Sequence, residues 1–394
     1  MQLTRHLFIC LILLVCAATS ADEPKPVYIG LDAEFGLADS TSAQAIERGI
    51  LIAIDEINRT GGVLGGRPLV LLSKDNRSVT ARGIQNLRDF AKIPDLVAMF
   101  VGRFSPVVLE YVGLAHELRM IILDPWAAAD AITKNGMNPN YVFRLSLRDS
   151  LAMPTMLRYA LEKGARRVGL LLPNSSWGRS NLAAAERYFT EAPLPHSVAT
   201  AWYNWGDQSM LGHYEKLRNA GAEAIIFVAN IEAAILCREV AALPADQRLP
   251  IISHWGVTGG KFVSFLREDL AKVDYSVVQT FSFFNADPAK VAQVLAVAER
   301  LFKLSRIEDI ESPVGFGHAY DLTHILAQAI DLAGTTDRAT VRSALEKVAN
   351  YRGLVKFFKQ PFSPSNHDAL GPEDVFMATY RADGAIIPVT QKNK

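Results

Sequence analysis

Five short segments of this chain carry side chains suited to holding a small organic molecule. They are Gly102-Arg103-Phe104-Ser105, Asp124-Pro125-Trp126-Ala127-Ala128, Ser176-Trp177, Asn230-Ile231 and His254-Trp255-Gly256, and each follows an apolar, strand-like run. Arg103 can clamp a carboxylate with two parallel hydrogen bonds, or it is a solvated loop arginine. Ser105 and Pro106 read as the N-cap and first residue of a helix, whose free N–H groups and dipole favour an anion. Asp124 can accept from a ligand amine or hydroxyl, or it caps its own turn. On a first loop, Glu34, Phe35 and Thr41 are further candidates. Catalytic patterns are missing. There is no G-x-S-x-G elbow and no H-E-x-x-H pair, and the eight histidines lack metal-ligand spacing. Gly61-Gly62-Val63-Leu64-Gly65-Gly66 follows a helix and precedes a strand, the reverse of a dinucleotide fingerprint, so it reads as a helix end and tight turn. The segment 256–262 fails the P-loop pattern in spacing and lacks a hydroxyl after Lys261. Neither a catalytic residue, a cofactor nor a metal is expected.

These segments need elements to position them. Short continuous apolar runs at 27–31, 68–73, 96–101, 120–123, 141–146, 167–172, 224–229 and 249–253 are the pattern of parallel strands covered on both faces. Amphipathic helices lie between them. In the first, Ala43, Ile46, Ile50, Ala53, Ile54 and Ile57 form one apolar stripe. The alternation runs twice, before and after about residue 144, and gives doubly wound α/β domains. Three helical segments follow from 287, then two strand-like runs joined by an Asp383-Gly384 turn.

The chain opens with one arginine, the twelve-residue apolar core LFICLILLVCAA and then small residues. This is the pattern of an export leader, with cleavage expected after Ala21. A leader with one basic residue leaves 40 basic against 41 acidic side chains, so nothing electrostatic points to nucleic acid or an anionic membrane. No later segment is apolar enough to span a membrane, and the remainder is expected to be soluble. At roughly 370 residues it should divide into two domains. Cys237, the one cysteine left, falls on the apolar side of a helix and reads as buried and inert.

Gly30, Gly36, Gly49, Asp55-Glu56-Ile57-Asn58, Gly61-Gly62, Gly65, Asp75, Gly102, Pro125, Trp177-Gly178 and Ala319-Tyr320-Asp321 come in an order and spacing that resembles the type I periplasmic binding proteins. The match is to the leucine/isoleucine/valine-type receptors that serve ABC importers. The resemblance implies two Rossmann-like lobes with parallel sheets, joined by a three-crossover hinge that closes on a ligand. The N-terminal lobe would be 22–144 plus 282–370, and the C-terminal lobe 145–281 plus 371–394. It implies a periplasmic monomer that captures a small-molecule ligand and delivers it to an ABC permease of the inner membrane; a ligand-sensing subunit of a membrane receptor or sensor kinase is the alternative.

Residue by residue, the resemblance gives Ser105 and its neighbouring amides the ligand carboxylate, and makes Trp177 the aromatic residue that stacks on the ligand; the competing reading of Trp177 is lobe packing. Phe104, Ala127 and Asn230 fall on the same cleft loops. Two departures stand out. Ala128 lies near where amino-acid receptors carry a threonine, beside a bulky Trp126, and no acidic residue near Trp255 is in place to pair a ligand ammonium. Three tryptophans on converging loops favour a planar aromatic ligand by stacking, or a quaternary ammonium by cation–π attraction. With Arg103 and helix N-termini present, an aromatic or bulky carboxylate is expected ahead of an amino acid.

Overall fold

A computed structural model describes residues 24–389; the expected leader lies outside the described residues. The first half of the chain builds a five-stranded parallel sheet from β1 (Val27–Ala33), β2 (Leu69–Asp75), β3 (Leu96–Val101), β4 (Ile121–Asp124) and β5 (Val142–Arg144), ordered β2-β1-β3-β4-β5. Helices α1 (Ser42–Arg59), α2 (Thr80–Ala91) and α3 (Ser105–Glu117) cover it. Every residue of LVAMFV in β3 is buried, as expected of a strand sandwiched between helix layers. The expected stripe of α1 is buried too, including Ala43, Ile46, Ile50, Ala53, Ile54 and Ile57. Between α1 and β2, Gly61, Gly62, Gly65 and Gly66 all have positive φ, and the Gly62 N–H returns to the Ile57 carbonyl. The glycine-rich stretch is therefore a helix-terminating turn.

The chain then crosses to a second sheet. It is formed by β6 (Arg167–Pro173), β7 (His196–Tyr203), β8 (Ala224–Phe227), β9 (Ile251–Ser253) and β10 (Tyr275–Gln279), parallel in the order β7-β6-β8-β9-β10. Helices α4 (Asp149–Glu162), α5 (Ser176–Glu191), α6 (Leu211–Asn219), α7 (Glu232–Ala241) and the short α8 (Phe262–Leu266) belong to this half. After β10 the chain returns to the first lobe with α9 (Pro288–Phe302), α10 (Pro313–Ala333) and α11 (Arg338–Leu345), and α10 packs along α1. A small hairpin, β11 (Tyr351–Arg352) and β12 (Phe357–Phe358), precedes the third crossing. The last two strands are β13 (Phe376–Tyr380), antiparallel to β10, and β14 (Ile386–Pro388), antiparallel to β13 across a turn with Gly384 at φ +94°.

Three strand features go beyond the expected pattern. β7 lies at the sheet edge with its first five residues exposed or part-buried, so it lacks the continuous apolar run of its neighbours. β10 runs into the equally apolar TFSFF, which hides its end. The β11–β12 hairpin pairs only two residues on each side. In both sheets the strand order reverses, beside β1 in the first and beside β6 in the second. At such a switch point adjacent loops diverge and leave a crevice at the carboxyl ends of the strands. The loops after β3, β4, β6, β8 and β9 sit at those ends.

Candidate functional site

The loop after β4 is the most heavily braced part of the crevice. Asp124 Oδ1 accepts from the backbone N–H of Trp126 (2.9 Å) and of Ala127 (2.7 Å). Ser105 Oγ accepts from the N–H of Ala128 and of Ala129, each at 3.2 Å. From β5 the fully buried Arg144 donates through Nη1 to the Ala129 carbonyl (2.9 Å), through Nη2 to Thr133 Oγ1 (2.8 Å) and through Nε to Asp368 Oδ1 (2.7 Å). His318 of α10 contacts the Pro125 carbonyl through Nδ1 (2.9 Å) and Thr280 Oγ1 through Nε2 (3.1 Å). Burial lowers the His318 pKa to about 4, so the ring is neutral, with Nδ1 donating and Nε2 accepting. Burial also pushes the Asp124 carboxyl up to about 7, against the pull of the Arg144 charge.

This bracing revises one expectation. Ser105 is not the N-cap of α3. The cap is Phe104, which makes no side-chain bond, and the Ser105 hydroxyl is turned onto the β4 loop instead. Both acceptor positions of Ser105 Oγ are then taken by N–H groups, which leaves its own hydrogen to be donated.

Ten residues wall one small chamber: Arg103, Phe104, Ser105, Trp126, Ala128, Trp177, Trp205, Asn230, Trp255 and Gly256. Four of the chain's five tryptophans are among them. The indoles of Trp126 and Trp255 stand 6.0 Å apart and are tilted by 53°. The Cε3–Cζ3 edge of Trp126 lies over Gly315 of α10, where an added methyl would come within 2.3 Å. The opposite edge carries Nε1–H, a buried donor with no partner. Trp177 opens α5 behind the Ser175 cap, whose hydroxyl accepts from the Gly178 N–H. Its Nε1 donates to Asp149 Oδ1 (3.2 Å), which is also 3.1 Å from His254 Nε2. The N–H of Trp255 donates to His254 Nδ1, so the proton of this ring is on Nε2 and points at Asp149. With the walls as placed, the chamber has free space of ≈ 10 Å³, about enough for one water. A ligand between these walls requires the lobes to part or the indoles to turn.

Of the residues expected at the site, Trp177, Ser105, Trp126, Trp255, Arg103, Phe104, Ala128 and Asn230 come together around this chamber. Four others do not line it. Asp124 caps its own turn beneath Trp126. Ala127 is buried in the first lobe's core, and Phe35 packs against the main core, its carbonyl facing Gln44. Thr41 lies in a contact between the lobes, its N–H donating to the Gly259 carbonyl at 2.9 Å. Two contributors, Trp205 and Asp149, fall outside the expected residues, and Gly256 of the expected loop after β9 has a part of its own. Trp205 stands in the polar turn after the unrecognised strand β7. Gly256 is small so that Asn230 and Trp177 can close over it. Asp149 is a fully buried carboxylate whose Oδ2 has no partner, directly behind Trp177. Its signal was an acidic residue at the start of α4, a place usually occupied by solvated caps.

A larger cavity of ≈ 660 Å³ lies at the hinge, between the segment 258–268, the α10 start and the β13–β14 turn. Its rim mixes Lys261 and Arg267 with Glu268, Glu308, Glu311 and Asp383; it touches the loop after β9 only from Thr258 onward and is lined by no tryptophan. Size alone favours this cavity. The chemistry favours the chamber, where buried donors and aromatic faces converge. Among the described residues no cluster of histidine, cysteine or acidic side chains is arranged to hold a metal, and no helix is long and apolar enough to cross a membrane.

Two doubly wound lobes linked by three crossings, with strand-end loops facing each other over one chamber, define a type I periplasmic binding protein. The chain belongs to the periplasmic binding protein family, whose sequence model matches residues 26–385. It is similar to the Leu/Ile/Val-binding protein homolog 1 of Brucella abortus, 24% identical over 316 residues that cover 79% of each chain. A periplasmic binding protein type 1 from Bordetella pertussis superposes with a TM-score of 0.81 at 21% identity, over 93% of this chain and 100% of that one. A solute-binding protein of an ABC transporter from Rhodopseudomonas palustris, solved in complex with 4-hydroxybenzoate, gives 0.76 at 15% identity, over 93% and 96%.

Proposed function

We propose that this protein captures a small organic carboxylate, aromatic or otherwise bulky, and delivers it to an ABC importer. The observation that carries the ligand class is the composition of the chamber wall. It offers four indoles and a phenyl ring, the unpartnered Nε1–H of Trp126 and the free Ser105 hydroxyl, and it contains no carboxylate. Flat apolar faces with a few inward donors suit an aromatic acid by stacking and hydrogen bonding. An amino acid would need a carboxylate to pair its ammonium; the wall offers only the Asn230 amide oxygen, and Asp149 stands behind Trp177 with one oxygen already bonded to Trp177 and His254. The relatives do not choose between these ligands: the Brucella protein is named for leucine, isoleucine and valine, and the Rhodopseudomonas protein holds 4-hydroxybenzoate.

In this reading Trp177, Ser105, Trp126, Trp255, Phe104, Ala128 and Asn230 contact the ligand, with Trp177 and Trp126 as its main faces. The lobes comprise 22–144 with 282–370, and 145–281 with 371–394. The leader exports the chain to the periplasm, where it works as a monomer, without cofactor or catalysis, and presents its closed form to the permease. A dissociation constant of about 1 μM would correspond to about −8 kcal/mol.

The test is a thermal-shift panel on refolded protein, with aliphatic amino acids, 4-hydroxybenzoate, phenylacetate, quaternary amines and small amides. A ligand at a hundred times its dissociation constant stabilises by about 2.7 kcal/mol. Aromatic acids should raise Tm while amino acids stay silent, and Trp126→Phe, which keeps a ring but loses Nε1–H, should weaken the response. A response to leucine or valine alone would overturn the preference for an aromatic acid over an amino acid.

A further inference from the structure

The five-residue 3-10 turn Trp255–Gly259 serves two masters. Its first residues, Trp255 and Gly256, wall the chamber. The carbonyls that follow are taken by groups of the other lobe. The Gly259 oxygen accepts from the Thr41 N–H (2.9 Å) and from Arg103 Nη1 (2.8 Å). The Thr258 oxygen accepts from Ser312 Oγ at 2.7 Å, and Ser312 Oγ stands 2.6 Å from Thr41 Oγ1. Arg103 Nη1 also lies 3.4 Å from the Gly256 oxygen. The three donors come from three separate places in the first lobe: the loop after β1, the loop after β3 and the start of α10.

Two further features mark this contact as built. Ser312 holds a left-handed backbone, φ +54°, which a non-glycine residue adopts at a cost and keeps only where its surroundings impose it. Gly259 has no side chain where one would obstruct: a Cβ there would come 2.2 Å from Arg103 Nη1 and 3.1 Å from Ser42 Cβ. Arg103 borders the chamber, but its guanidinium is engaged by neighbouring protein groups. Its Nε is 3.8 Å from Glu34 Oε1, its guanidinium lies 4.7 Å from the Phe104 ring centre, and Glu34 is itself bonded by Ser42.

We propose that this turn is the coupling element between ligand and lobe closure, with Arg103, Thr41 and Ser312 forming a latch on its carbonyl end. A ligand pressed against Trp255 and Gly256 sets the position of the same five residues whose oxygens the first lobe must find. Arg103 is then a positioning residue that holds the lobes together, not a clamp on the ligand. The coupling rests on the chamber being the ligand site. The latch does not.

Hydrogen exchange on the ligand-free chain tests the latch without any ligand. The Thr41 amide should be strongly protected in the wild type. Gly259→Ala should speed exchange at least tenfold at Thr41 and in the first turn of α10, while β6 and β8 stay protected. Ser312→Ala, which removes one hydroxyl and adds no bulk, should speed Thr41 as well, although the two are far apart in sequence; it decides the matter if Gly259→Ala fails to fold. An unprotected Thr41 amide in the wild type, or Ser312→Ala effects confined to α10, would overturn the proposal. A silent binding panel would leave this readout intact and count against the ligand reading alone.

Discussion

Phe104 and Trp205 meet edge to face at the rim of the chamber, ring centres 5.4 Å apart and planes at 74°. One ring belongs to the loop after β3 and the other to the loop after β7, so the pair bridges the two lobes. Trp205 is 39% exposed, whereas Phe104, Ser105, Trp126, Ala128, Trp177, Asn230 and Trp255 are buried. The path from the chamber to solvent therefore runs past this indole.

Trp205→Ala should open that path. An aromatic pair of this geometry contributes about 0.5–1.5 kcal/mol beyond its buried area, which corresponds to a roughly 2- to 10-fold faster ligand off-rate. Stability should fall by no more than a few kcal/mol, because the indole sits part-exposed at the rim and not in either lobe's core. Stopped-flow displacement of whichever carboxylate binds checks this, with the urea midpoint as the control. An unchanged off-rate would remove Trp205 from the exit path.

Gly256→Ala should damage the chamber from inside. A Cβ at this position would come 2.5 Å from Asn230 Oδ1, 2.6 Å from the Ala229 carbonyl and 2.9 Å from Trp177 Cη2. Overpacking of this kind costs about 1–3 kcal/mol, visible as a lower urea midpoint. Ligand affinity should fall further than stability does, since the displaced groups, Asn230 and Trp177, are themselves chamber walls. Wild-type affinity in this variant would mean that the ligand sits elsewhere.

The sequence made the sandwiched strands legible because parallel strands buried on both faces leave continuous apolar runs, as in β3, β6 and β8. It also located most of the chamber, since residues that follow such a run must stand at the carboxyl edge of the sheet. The same logic explains what was missed. Trp205 follows β7, an edge strand whose exposed face breaks the apolar run; with the strand unrecognised, its loop had no assigned place. Arg144 and Asp149 were passed over because a charged residue usually marks solvent. In Arg144 the signal was available: an arginine inside the apolar run YVFRLS cannot reach water from the middle of a covered sheet and must find a buried partner. That partner, Asp368, lies 224 residues away, and no local pattern could name it.

Arg144 and Asp368 make a falsifiable pair. Their atoms are 2.7 Å apart in an environment that excludes water, and the arginine holds the Asp368 carboxyl below its usual range despite burial. Removing one partner of a buried pair costs about 3–5 kcal/mol because the other charge is stranded. Arg144→Met should show that loss, and it should also loosen the Trp126 loop, which loses its bond to the Ala129 carbonyl. Arg144→Met combined with Asp368→Leu should cost less than the sum of the two single changes, as measured by urea unfolding of all four proteins. Strict additivity would deny the coupling.

Asp124 and His318 brace the same loop and should oppose each other in pH dependence. Asp124 has its folded pKa raised to about 7 by burial, so its protonated form is favoured in the native state. Its contribution is complete below the ordinary carboxylate value of about 3.9 and is lost as pH rises toward 7. His318 is depressed to about 4, also by burial. Its contribution is complete above the ordinary histidine value of about 6.5 and is lost as pH falls toward 4. Across pH 4.5–6.5 the two slopes have opposite signs and largely cancel, each bounded by about 1.4 kcal/mol per pH unit. Asp124→Asn keeps an oxygen for the Trp126 and Ala127 N–H groups but removes the titration, so its stability relative to wild type should climb with pH over that window. His318→Gln should do the reverse. Asp321, held up at about 6 by burial, titrates alike in all three proteins and drops out of the differences. Urea unfolding at pH 4.5, 5.5 and 6.5 reads both slopes, and parallel profiles would show that neither group changes its charge on folding.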